Sequence, residues 1–107
     1  MEVHKKLGSG FLESVYAEAL EIEFTKKEIP YHREKKLQVY YEGKPMKKFF
    51  KADFVCFEAI IVELKSTAFM SENDRRQSIN YLKATQFKLG ILVNFGTQSL
   101  SYKRIVN

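Results

Sequence analysis

The stretch "KADFVCFEAIIVELKS", residues 51–66, sets two carboxylates and an amine among Phe, Val and Ile. A charge in such company is costly unless it is paired or bound. Strand alternation sends Ile60, Val62 and Leu64 to one side, and Ile61, Glu63 and Lys65 to the other. Taken alone, Glu63 and Lys65 read as an ion pair at the wet end of a strand. Asp53 changes that reading. A hairpin with Phe57-Glu58-Ala59 as its loop puts Asp53 opposite Glu63; a two-residue loop would put it opposite Leu64. Opposed residues bring their Cβ atoms to about 4.5–5.5 Å. Two carboxylates that close repel each other unless a cation or a proton intervenes. Two carboxylates, a nearby lysine and room for water are the makings of a hard-cation site. Asp53, Glu63 and Lys65 are therefore expected to converge on one face, at one end of a sheet.

These residues need a scaffold. A helix is predicted over Phe11–Lys27, where Leu12, Val15, Tyr16, Ala19 and Leu20 recur at helical spacing. Gly8-Ser9-Gly10 precedes it as a turn and cap, and "MEVHKKL" reads as the end of an earlier helix. With Gly10 as the cap, Glu13 falls at the third helical position, where a carboxylate favours the helix dipole. Its functional alternative is a third carboxylate reaching Asp53 and Glu63. Strands are predicted at "KLQVYYEG", "KFFKADFVCF" and "AIIVELK", with a turn at Gly43-Lys44-Pro45. Ser71 and Asp74 have capping-box spacing and open a second helix that runs to about Thr85. Gln77 and Tyr81 share one face of that helix, leaving Ile79 and Leu82 for the core. "KLGILVNF" and "LSYKRIV" are the last strands, the final one at an edge. The order is αβββαβ plus one strand, with a single parallel crossover.

A chain of 107 residues with 45% hydrophobic and 14% aromatic content is expected to form one domain, residues 1–107, with a real core. The lone cysteine, Cys56, excludes an internal disulfide and a cysteine-built metal centre. No apolar run approaches the ~18 residues of a membrane span, and no leader-like segment is seen. A cytoplasmic protein without a membrane partner is expected. The net charge of +5 fits a polyanionic partner.

Asp53 followed by Glu63-Leu64-Lys65 resembles the motif of the PD-(D/E)XK nucleases. Gly10-Phe11-Leu12-Glu13-Ser14-Val15-Tyr16 resembles the signature of the GxxExxY proteins within that superfamily, and "NYLKATQFKLGILVNFG" resembles the same family's helix–strand segment. The resemblance covers essentially the whole chain. It departs at Ala52, where proline often stands, and at Leu7-Gly8-Ser9-Gly10, where the family usually has Leu-Gly-Pro-Gly. "EVHKKLG" looks like the last part of a longer family helix, and His4 within it reads as a surface imidazole.

The resemblance implies an α/β fold with a PD-(D/E)XK nuclease-like αβββαβ core, a mixed sheet and an extra C-terminal strand. It also implies hydrolysis of nucleic-acid phosphodiesters with Mg²⁺ or Mn²⁺. Asp53, Glu63, the Leu64 carbonyl and Glu13 are then the expected metal ligands. Lys65 would serve the attacking water or the phosphate, and Gln77 and Tyr81 would position substrate or brace the site. The expected partner is nucleic acid, DNA in preference to RNA, with a protein partner or a second copy as further candidates. The competing reading is a non-catalytic nucleic-acid- or protein-binding domain that keeps the fold.

Overall fold

A computed structural model describes residues 2–97 and 100–106; Met1, at the head of the first helical signal, lies outside them. Helix α1 spans Glu2–Leu7 and α2 spans Glu13–Lys26. Strands β1 (Tyr31–Tyr41), β2 (Lys44–Cys56) and β3 (Ile60–Lys65) follow. Helix α3 (Glu72–Ala84) leads to β4 (Leu89–Asn94) and β5 (Ser101–Val106). The five strands form one sheet in sequential order. Only the β3–β4 pairing is parallel, and α3 is its crossover. The expected αβββαβ order with an added edge strand is present.

Each face of the sheet has its own core. Tyr16, Ala17 and Leu20 of α2 pack with Phe54, Cys56, Val62, Leu64, Val93 and Phe95. Leu82 of α3 packs with Leu37, Ala52, Val55, Ile61, Leu92 and Ile105, and Ile79 adds to it. Helix α3 begins as the sequence indicates, with Ser71 and Asp74 bonded reciprocally. Helix α2 does not. Its cap is Leu12, with no side-chain bond, so Glu13 is the first helical residue and not the third. The buried line is Tyr16, Ala17 and Leu20, whereas Leu12 and Val15 are exposed. Glu13, Ala17, Leu20 and Phe24 follow helical spacing. That line aims Glu13 over the sheet.

The two long strands slip phase once. The cross-strand pair Arg33 and Phe54 belongs to the α2 side, where Arg33 bonds Glu21 and Phe54 is buried. The pair Lys35 and Ala52 is two positions on, and a regular ladder would keep it on that side. Ala52 instead packs in the α3-side core, as do Leu37 and Phe50 beyond it. Glu34 and Asp53, which lie between, are missing from the ladder, and Glu34 has φ 52°. The register is the same on both sides of that gap, so no residue is inserted; the unpaired stretch, with its left-handed residue, reverses which side faces which core. Beyond this break in the ladder, β2 pairs with β1 alone, so residues 35–52 form a two-stranded ribbon.

The left-handed residue gives a stability test. A β-branched side chain is strained at positive φ and glycine is not. Glu34→Val is expected to lower unfolding free energy by ~1–3 kcal/mol in urea titrations, and Glu34→Gly to leave it unchanged or higher. Equal losses in both variants would mean that the backbone there is unstrained.

Candidate active site

The β2–β3 ladder runs through Cys56–Ile60, Val55–Ile61 and Phe54–Val62, joined by the three-residue loop 57–59. The next pair in this register is Asp53 and Glu63, as expected. Here the strands part, and each carboxylate takes a backbone donor from the other strand. The Asp53 N–H donates to Glu63 Oε1 at 3.0 Å, and the Leu64 N–H donates to Asp53 Oδ2 at 2.7 Å. The expectation of a single shared face needs correction. Asp53 borders a cleft of about 200 Å³ beside α2, together with Glu13, Ser14, Ala17, Arg33, Glu34 and Leu64. Glu63 borders the narrow space under α3 with Ile61, Ser78 and Leu82. The two carboxylates meet between the strands because the break in the β1–β2 ladder turns Asp53 out of step with Val55.

The meeting has an electrostatic consequence. The Glu63 carboxyl is pushed up from 4.5 to about 8, by burial first and by the Asp53 charge second. The Lys65 ammonium partly offsets the rise. Glu13 is also raised, again by burial first; Lys65 opposes the shift and Asp53 adds to it. Glu13, Asp53, Glu63 and Lys65 therefore form one electrostatic group. The ion pairs within 4.0 Å among the described residues leave Lys65 out. Among the described residues, no three His, Cys, Asp or Glu side chains are grouped to hold one metal ion.

Backbone bonds fix the end of β3 that carries Lys65. The Phe95 N–H donates to the Lys65 carbonyl at 2.8 Å. The buried Asn94 side chain accepts from the Thr67 and Gly96 N–H groups and donates to the Thr67 carbonyl. A Cβ on Gly96 would overlap the Thr67 backbone, so this crossing requires glycine. Ser66 Oγ donates to the Phe11 carbonyl at 2.7 Å, tying β3 to the loop before α2. Tyr16 closes that loop: its hydroxyl donates to the Gly8 carbonyl and accepts from the Phe11 N–H, and its ring stacks on Phe95 at 4.4 Å. The Tyr of Gly10–Tyr16 thus closes the loop that delivers Glu13, and Gly10 within that loop has φ 104°.

Gln77 is exposed on α3. Tyr81 stacks on Phe50 at 4.4 Å, at the root of the ribbon. Neither borders the cleft with Glu13, Asp53 and Leu64. His4 is not a free surface imidazole: its Nε2 lies 3.0 Å from the Thr97 carbonyl and joins α1 to the segment after β4. Arg33, Glu34 and Asn94 were not singled out in the sequence. Arg33 and Glu34 sat in a polar run ahead of the expected strand start, and only the paired ladder brings them to Asp53.

A family model described as the PD-(D/E)XK nuclease superfamily matches residues 1–105. The crystal structure of SSO0001 aligns with a TM-score of 0.65 at 18% identity, over 89% of this chain and 50% of that one, so this chain spans about half of that protein. This likeness concerns the fold alone. Comparison with curated proteins gives no match.

The raised carboxyl sets a pH test. Between pH 4.5 and about 8 the folded protein holds a proton on Glu63 that the unfolded chain has released. Stability of metal-free protein should then be highest near and below pH 4.5, as far as this group is concerned, and fall as pH rises toward 8. Glu63→Gln keeps both an acceptor and a donor without the titration. Urea unfolding in EDTA should show a weaker fall in this variant over that window. The same slope in both proteins would place the titrating group elsewhere.

Proposed function

Because the chain belongs to the PD-(D/E)XK nuclease superfamily, we propose that it hydrolyses phosphodiester bonds of nucleic acid, with Asp53 and Glu63 holding Mg²⁺ or Mn²⁺. We take the 107 residues as one nuclease-like domain of the GxxExxY type, acting in the cytoplasm on DNA in preference to RNA. The observation that carries this reading is the Asp53–Glu63 pair, whose mutual repulsion helps keep Glu63 protonated. The donor set fits a hard cation. One oxygen of each carboxylate is held by a backbone N–H, which orients its partner oxygen, and Leu64 borders the same cleft as Asp53.

A divalent cation there would supply Lewis-acid stabilisation of charge building on phosphate oxygens. The chain's own residues do the rest. Asp53 and Glu63 hold the positive charge beside the cleft, and the Leu64 carbonyl is offered as a further ligand. Among the described residues no ion pair within 4.0 Å engages Lys65, so its ammonium can donate to the attacking water or to a phosphoryl oxygen. Glu13 accepts from water in the cleft or holds a second ion. Tyr81 braces the ribbon through Phe50, and Gln77 on the same helix is left for the substrate.

Two measurements test this reading. Mn²⁺ at a hundredfold excess over Kd should stabilise the wild type by ~2.7 kcal/mol in thermal melts, and Asp53→Ala should remove that gain. With Mn²⁺ at low salt, the protein should cleave nucleic acid, and Lys65→Ala should lower the rate by ~10²–10³ with its circular dichroism unchanged. Metal binding without cleavage of single- or double-stranded DNA or RNA would favour the binding-domain alternative. Undiminished cleavage in Lys65→Ala would remove Lys65 from the chemistry.

A further inference from the structure

The charge of this protein is concentrated in one place. Residues 31–52 carry seven Lys and Arg against two Glu, and the rest of the chain carries eleven of each sign. The whole net charge of +5 therefore sits on β1, β2 and their turn. Because Leu37 and Phe50 face the α3-side core, their neighbours Lys36, Lys51, Gln38 and Phe49 face the other side. That is the side on which Asp53 borders the cleft. Lys51 is two residues from Asp53, ~7 Å along the strand. Lys36 and Lys51 are direct cross-strand partners, an arrangement of like charges that costs stability. The Lys36 ammonium lies 4.7 Å from the Phe49 ring centre, and Phe49 is 52% exposed. Lys47 and Lys48 continue the exposed positive charge at the irregularity beyond Gln38.

We infer that the β1–β2 ribbon is the nucleic-acid-binding arm. Lys36, Lys47 and Lys51 take successive phosphates of a strand that runs on from the cleft, and Phe49 stacks on an unpaired base. The inference rests on the nucleic-acid reading above for the kind of partner, but not on catalysis. An anionic backbone relieves the opposed lysines, as a cation relieves the opposed carboxylates. Exposed aromatic rings among lysines suit single strands, since every base offers a stacking face.

The test is fluorescence anisotropy of a labelled single-stranded oligonucleotide in EDTA, where cleavage plays no part. The triple variant Lys36→Ala, Lys47→Ala, Lys51→Ala should bind at least tenfold more weakly at low salt. Its salt slope should shrink by ~2, from ~0.7 per lost phosphate contact. A triple of Lys83→Ala, Lys103→Ala, Arg104→Ala loses the same charge elsewhere and should bind within about twofold of wild type. Arginine at the three ribbon positions should restore binding, separating charge from folding. Phe49→Leu should weaken single-strand binding more than duplex binding. Equal losses in the two alanine triples, wild-type affinity in the ribbon triple, or no binding by wild type would overturn the inference. Ribbon-dependent binding without cleavage under any metal would leave the inference standing and remove the nuclease reading. Cleavage with ribbon-independent binding would do the reverse.

Discussion

Two carboxylates held against each other between parting strands are the constraint on which the rest of this structure turns. Asp53 and Glu63 each accept a backbone N–H from the opposite strand, in the space where the β2–β3 ladder has stopped. These bonds satisfy donors that the parted strands would otherwise leave unpaired. They also force two like charges together in a partly dry place, and the result is a carboxyl that holds its proton to about pH 8. A proton satisfies the pair when no cation is bound. On the proposed reading a cation would take the proton's place, so the geometry that destabilises the protein at high pH would also favour metal.

The break in the β1–β2 ladder at Glu34 and Asp53 serves the same arrangement. A regular β2 would carry Asp53 and Val55 on one face, beneath α3. One left-handed residue reverses the faces, and two outcomes follow together. Asp53 reaches the cleft under Glu13, and the ribbon beyond turns Leu37 and Phe50 toward α3 and its opposed lysines away from it. The Asp53 carboxylate and the positive charge along the ribbon then lie on one side of the sheet. A phosphate chain is repelled by the first and attracted by the second, so a cation at the fork would make the whole track favourable.

Much of this was legible in the sequence, and the gaps have physical causes. Period-two runs and the Ser71–Asp74 capping box indicated each strand and α3, because such signals are local, though β1 and β2 begin at Tyr31 and Lys44, ahead of the predicted Lys36 and Lys48. The Asp53–Glu63 register followed from the loop length alone. The phase of α2 was not legible: Leu12 and Val15 have the right spacing for a core face, yet Ser66 and Tyr16 fix the preceding loop in a way that leaves both exposed. Only that long-range tether brings Glu13 to the sheet. The face reversal was hidden too, since Glu34 has none of glycine's tolerance for positive φ. Asn94 looked like any polar residue at a strand end, and its two bonds to Thr67 in the crossing after β3 require the parallel β3–β4 pair.

The central claim is that a divalent cation displaces the proton held on Glu63 beside Asp53. The direct measurement is calorimetric titration with Mn²⁺ at pH 7 in buffers of different ionisation enthalpy, which counts protons released per ion bound. The account gives close to one proton for the wild type and none for Glu63→Gln. Tight Mn²⁺ binding with no proton release, or a release unchanged in Glu63→Gln, would contradict it.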